Sequence, residues 1–212
     1  MAGAVSKGIL GKKVGMTQIF DSDGKIVPVT LIEAGPCVVL QKKTHESEGY
    51  SAIQLGFVDK KPKSVNEPMK GHFKKAGVTP KKYLREIRVG DPEGYEVGQN
   101  IKVDLFKEGE RVDVVGTSKG KGFAGTIKRY GLKRGAMTHG STHHRSPGSL
   151  GATGPQKVFK GRKLPGRMGT DRVTIQGLKV MKVDPERNVM IVKGSVPGVK
   201  GTFLLIKGSQ KR

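Results

Sequence analysis

A chain of 212 residues with forty Lys and Arg against eighteen Asp and Glu carries a net charge of +22 and is long enough for one domain with a large appendage. A compact monomer with that charge repels itself, because soluble domains of this size usually sit at a net charge of about 2 to 8, so a polyanionic partner is expected and nucleic acid leads. No apolar run approaches the ~18 residues of a membrane span and Met1 to Val14 lack the apolar stretch of a secretory signal, so the expected setting is cytoplasmic with no membrane partner.

Near the N-terminus, residues 9–20 and 26–32 read as two strands joined by a hairpin connection, Asp21-Ser22-Asp23-Gly24. Cys37 is the single cysteine, which excludes a disulfide framework and a cysteine zinc cluster and reads as a small buried thiol. Ile53, Leu55 and Phe57 alternate with Gln54 and Gly56, a period of two that turns one strand face to a core. Residues 59–97 form an insertion of mixed charge. Within it Met69, Phe73 and Ala76 fall at helical spacing, Gly77 is a C-terminal stop, and Thr79-Pro80 opens another short turn. Beyond Tyr83 the pattern fits strand or helix equally. Alternation resumes at Ile101, Val103 and Leu105, and again at Val112 and Val114. Val173 and Ile175 are out of phase with Leu178 and Val180, where Gly177 marks a bulge. Residues 189–192 and 203–206 read as further short strands. Short strands at this spacing predict a mainly β fold: a small barrel from 1–58, 98–115 and 171–212, a minor α/β insertion at 59–97, and a long basic extension at 116–170.

That last segment is the most informative. Its fifty-five residues hold twelve Lys or Arg, thirteen Gly, three of the five His, and no Asp or Glu. Leu, Ile, Val and Phe supply only seven positions, too few for a core of its own. The expected contacts to nucleic-acid phosphates are Lys119, Lys121, Lys128, Arg129, Lys133, Arg134, Arg145, Lys157, Lys160, Arg162, Lys163 and Arg167, joined by His139, His143 and His144 through hydrogen bonds or stacking. With no Trp and 5% aromatics, backbone and shape rather than stacked bases are what such a protein reads. Residues 123–130 are expected to form two helical turns with Phe123 and Ile127 on one side.

Enzymatic readings fare poorly. Residues 120–125 spell the letters of a dinucleotide-binding loop, but the acidic residue required about twenty positions later is missing until Asp171. The glycines can instead let main-chain amides approach phosphate oxygens. His139 and His143 have a metal-like spacing without any Cys, Asp or Glu in the segment to complete a shell. Ser141, Thr142, Ser146 and Ser149 lie near His but lack a nearby acid to orient it. No catalytic residue, cofactor, metal or small-molecule substrate is therefore expected. A structural RNA-binding protein leads; a DNA-architectural protein and an RNA-modifying enzyme are the alternatives.

Several motifs in order carry a specific resemblance. Phe106, Asp113, the run GTSKGKG at 116–122, Gly125 and Arg129 are similar to the signature of the ribosomal protein L-three family. Further matches are KGILGKKVGMT at 7–17, GHFKKAG at 71–77, THG at 138–140, PGSLG at 147–151, KVFKG at 157–161 and NVMIVKGSVP at 188–197. The resemblance spans nearly the whole chain in its short, bacterial form. It implies a translation-protein-type barrel that binds 23S rRNA near its 3′ end, acts early in large-subunit assembly, and neighbours the fourteenth and nineteenth large-subunit proteins. It also implies an extension tip near the peptidyl transferase centre, here Gly148, Ser149, Leu150, Gly151, Ala152 and Pro155. Some bacterial relatives carry a methylated Gln where this chain has Ala152, so that modification does not carry over.

Overall fold

The computed structural model describes residues 7–21 and 23–209; Ser22 of the expected hairpin and residues 1–6 of the segment weighed as a signal lie outside them. The chain divides into two compact units, Met1–Thr117 with Arg172–Arg212, and Ser118–Asp171.

In the first unit the chain opens with β1 (Gly8–Phe20) and β2 (Ile26–Ala34), an antiparallel hairpin whose turn is closed by Asp21 N–H to Lys25 O and Gly24 N–H to Asp21 O, both 2.9 Å. β3 (Cys37–Lys43), a one-turn α1 (His45–Glu48) and β4 (Ala52–Asp59) follow. Then come α2 (Glu67–Lys75), β5 (Lys81–Arg88), a two-residue β6 (Asn100–Ile101) and β7 (Arg111–Thr117). The second unit contributes β8 (Phe123–Ala124), α3 (Thr126–Tyr130) and β9 (Gly166–Arg167). β10 (Arg172–Asp184), β11 (Val189–Lys193) and β12 (Phe203–Gly208) complete the first unit.

Six strands close a barrel in the order β1-β12-β7-β10-β11-β2, every pair antiparallel. Closure removes the exposed strand edges that an open sheet of this length would present. Its interior is set by alternation: Leu204 and Ile206 of β12, Val112 and Val114 of β7, and Val192 of β11 are fully buried. Each such side chain contributes roughly 1.5 to 3 kcal/mol by leaving water. The phase change in β10 is present as a register shift between Ile175 and Leu178, with Gly177 at φ +69°. That angle costs glycine nothing and an L side chain much more.

The sequence reading groups residues 37–58 with the barrel, but β3 and β4 hydrogen-bond with β5 and β6 in a separate four-stranded sheet, order β5-β4-β3-β6. The period of two reports that one strand face is buried, not which sheet buries it. Ile53, Leu55, Phe57 and Ile87 from this sheet join barrel residues such as Leu205 in one apolar cluster. α2 covers another part of the sheet, seating Phe73 against Leu40 and Val65, with Met69 and Ala76 beside them. Gly77 at φ +66° ends that helix as expected. Thr79-Pro80 starts no helical turn: Pro80 O accepts from Lys60 N–H at 2.8 Å and β5 begins at the next residue.

The strand expected through Val103 and Leu105 stops at Ile101. Residues Val103–Leu105 form a 3₁₀ turn, with Phe106 N–H bonded to Val103 O at 3.1 Å. Val103 and Phe106 are both buried, and residues three apart share a side in such a turn but not in a strand. Cys37 is buried, its thiol donating to Leu10 O at 3.4 Å, and burial pushes its pKa up to about 12, so it is an inert core group. None of the described helices is long and apolar enough to cross a membrane.

Candidate nucleic-acid interface

Ser118–Asp171 is held by backbone pairing rather than by a core. Ser118 N–H bonds to Asp171 O at 2.9 Å, and Asp171 N–H returns to Ser118 Oγ at 3.2 Å. Lys121 N–H meets Met168 O at 2.9 Å, Met168 N–H meets Gly122 O at 3.0 Å, and β8 pairs with β9 through Phe123 with Arg167 and Ala124 with Gly166. In this unit only Ala124 and Thr126 are buried, and neither apolar cluster of the protein includes any of its residues.

The helix expected over 123–130 is shorter than its sequence suggests. Phe123 is drawn into the β8 pairing and lies 81% exposed, and extended Gly125 delays the first helical residue to Thr126. α3 ends at Gly131, whose N–H reaches Ile127 O at 2.8 Å. Lys128 is exposed on it. Arg129 is half-buried, and its Nη1 donates to Leu164 O at 2.9 Å, tying the helix to the returning strand.

The other eleven cations of the sequence reading are all exposed: Lys119, Lys121, Lys128, Lys133, Arg134, Arg145, Lys157, Lys160, Arg162, Lys163 and Arg167. Among the described residues none of the twelve has a carboxylate within ion-pairing distance, and Asp171 is the one acidic residue in the unit. Arg162 also has an internal task, since its guanidinium donates to Ser149 O and closes the 149–162 loop. Inside that loop Ser149 Oγ bonds to Gly151 O at 2.9 Å, and Leu150, Gly151, Ala152 and Val158 line an open groove. Gly148 sits at φ +77°, and Pro155 is half-buried nearby.

Of the three histidines, His144 is half-buried with Nδ1 2.9 Å from Ala136 O, while Gly135 N–H bonds to His144 O at 2.9 Å; both contacts fasten the 135–144 turn. His139 and His143 are exposed, His139 at φ +59°. No three His, Cys, Asp or Glu side chains gather into a metal-sized cluster among the described residues.

Two glycines have a purpose that sequence alone did not show. A Cβ on Gly135 would run into the carbonyl of His143, and one on Gly169, at φ +79°, into the carbonyl of Lys119. They let one arm of the unit lie against the other. Sequence reading also missed the exposed apolar side chains Phe123, Met137 and Phe159, whose exposure depends on a core that the unit lacks. Such a surface offers positive charge without ion-pair partners and a few apolar faces. That combination suits a folded RNA with closely packed phosphates.

The family model described as Ribosomal protein L3 matches residues 95–191, which include all of this unit. The large ribosomal subunit protein uL3 of Carboxydothermus hydrogenoformans is 66% identical over 205 residues, covering 97% of this chain and 98% of that protein. The protein of the same name from Pelotomaculum thermopropionicum is 65% identical with the same coverage. That from Bacillus thuringiensis is 58% identical over 98% of this chain and 99% of its own. Identity of this order along nearly the full length of both partners places the chain in the ribosomal protein L3 family.

Proposed function

We propose that this chain is a structural constituent of the large ribosomal subunit that binds 23S rRNA directly. Ser118–Asp171 is the rRNA-threading extension, and its twelve cations and three histidines are the contacts. One observation carries the reading: a compact unit with twelve unpaired cations, two buried residues and no apolar cluster needs a polyanion to offset its charge and stabilise its order. The family resemblance supports the finer assignments. By it, the barrel unit binds near the 3′ end of the RNA early in assembly, the loop from Gly148 to Pro155 approaches the peptidyl transferase centre, and the fourteenth and nineteenth large-subunit proteins are neighbours. RNA performs the chemistry there, and this chain positions it.

The test is competition between a large-subunit rRNA fragment and duplex DNA for the purified chain across a salt series. If six cations neutralise phosphates, log K falls with log salt at a slope of about −4 to −5, and the rRNA fragment wins at moderate salt. Equal affinity for the two would favour a general DNA-architectural role instead.

A further inference from the structure

The barrel unit carries a second cationic feature, which draws on β5 and β12 as well as on the residues that flank the basic segment. A cavity of about 280 Å³ is lined by Arg85 and Glu86 of β5, Val115, Gly116 and Thr117 of β7, Arg172 of β10, and Phe203, Leu205 and Lys207 of β12. Alternation explains the lining. Leu204 and Ile206 point into the barrel, so Phe203, Leu205 and Lys207 stand on its outer face, where β5 of the second sheet meets it. The floor is apolar. Tyr83 stacks on Phe203 with ring centroids 4.7 Å apart, and the Arg85 guanidinium sits 5.6 Å from the Phe203 centroid. A guanidinium held on a ring has less rotamer freedom to lose when it binds an anion.

The rim is positive and its cations make no direct ion pair. Among the described residues Arg85, Arg172 and Lys207 have no ion-pair partner; Arg85 Nη1 donates only to Leu84 O, at 2.8 Å. The two nearby carboxylates are engaged elsewhere. Glu86 takes Lys43 and the Tyr50 hydroxyl, each at 2.8 Å, and Asp113, opposite Lys207 in register, accepts Gly177 N–H at 2.8 Å. Burial holds the Lys207 ammonium below its usual pKa and Arg172 lowers it further, with Asp113 opposing them.

We propose that this cleft between β5 and the outer barrel face is a phosphodiester site, binding the backbone of an RNA strand through Arg85, Arg172 and Lys207. Fork-shaped guanidinium donors beside an ammonium match phosphate oxygens, and Phe203 is already engaged by Tyr83 and Arg85, which favours contact with backbone over base. The identity of the strand as rRNA rests on the function proposed above; the affinity for phosphate does not.

The experiment has two arms on the full chain. In the first, inorganic phosphate is titrated while NMR follows the Phe203 ring and the Lys207 side chain; saturable shifts at both are expected, and none would overturn the proposal. In the second, the triple variant Arg85→Gln, Arg172→Gln, Lys207→Gln is compared with Lys63→Gln, Lys107→Gln, Lys200→Gln for binding to a large-subunit rRNA fragment. The pocket variant is expected to lose about tenfold in affinity near 0.15 M salt and to flatten the salt slope by about one, the control far less. Equal losses in the two variants overturn the proposal. A phosphate response with an unchanged RNA slope overturns the RNA assignment and identifies free phosphate as the ligand. A wild-type chain with no preference for the rRNA fragment defeats the ribosomal reading separately, and the first arm still decides the site.

Discussion

Thr117 and Arg172 face each other in register across β7 and β10, although all of Ser118–Asp171 lies between them in sequence. The chain therefore leaves and rejoins the barrel sheet at neighbouring positions, a gap that a two-residue hairpin turn can span. Replacing Ser118–Asp171 with Asn-Gly should leave a protein that melts in one cooperative transition by circular dichroism. Loss of that transition would mean that the excised unit supplies core packing.

Within that unit, Gly169 is one place where the returning arm lies against the outgoing one. In the Gly169→Ala variant the new methyl meets the Lys119 carbonyl and a backbone angle of +79° that alanine resists, costing the local pairing about 1 to 3 kcal/mol. In the RNA-bound protein the Lys121 and Met168 amides, which pair across the arms, should exchange about 5- to 150-fold faster. The Leu205 amide in the barrel should be unchanged. Equal rates for wild type and variant at Lys121 would show that the approach at Gly169 is relaxed without effort.

The second sheet has its own pH dependence. Hydrogen bonding from Lys43 holds the Glu86 carboxyl below its usual 4.5, with the Tyr50 hydroxyl adding to the effect, and the same pairing raises the Lys43 ammonium. A carboxyl lowered in the folded state stabilises fully above its unfolded value and loses that contribution as pH falls through the folded one. Acid unfolding of wild type should therefore include a component below about pH 4.5 that Glu86→Gln lacks. The contribution of Lys43 has the opposite sense: it is complete below 10.5 and is lost only as pH rises through the raised value. Parallel acid profiles for wild type and Glu86→Gln between pH 5 and 3 would contradict the pairing.

Much of the barrel was legible because each strand announces itself locally. Val112 and Val114, Leu204 and Ile206, and the phase break at Gly177 all follow from a period of two. Sheet membership was not, since Ile53, Leu55 and Phe57 alternate as a barrel strand would and only the long-range pairing of β4 with β5 reveals their sheet. The turn at Val103–Leu105 misread as strand because Val103 fits both a period of two and a period of three, and burial of Phe106 decides for three. The basic segment showed its cations directly. It did not show that Arg129 and Arg162 also fasten the segment through Leu164 and Ser149, because those carbonyls lie 35 and 13 residues away. Arg85, Arg172 and Lys207 were invisible as a group, since three different strands bring them together.

The most direct measurement is amide hydrogen exchange over Ser118–Asp171 in the full chain, in dilute buffer without polyanion and again bound to large-subunit rRNA. If phosphates stabilise this coreless unit, its amides at Lys121, Gly135 and Met168 exchange rapidly in the free protein and become strongly protected on binding, while Leu205 and Ile206 are protected in both. Strong protection at Lys121 and Met168 in the free protein would contradict the account, because the segment would then hold its structure without any negative charge to meet its own.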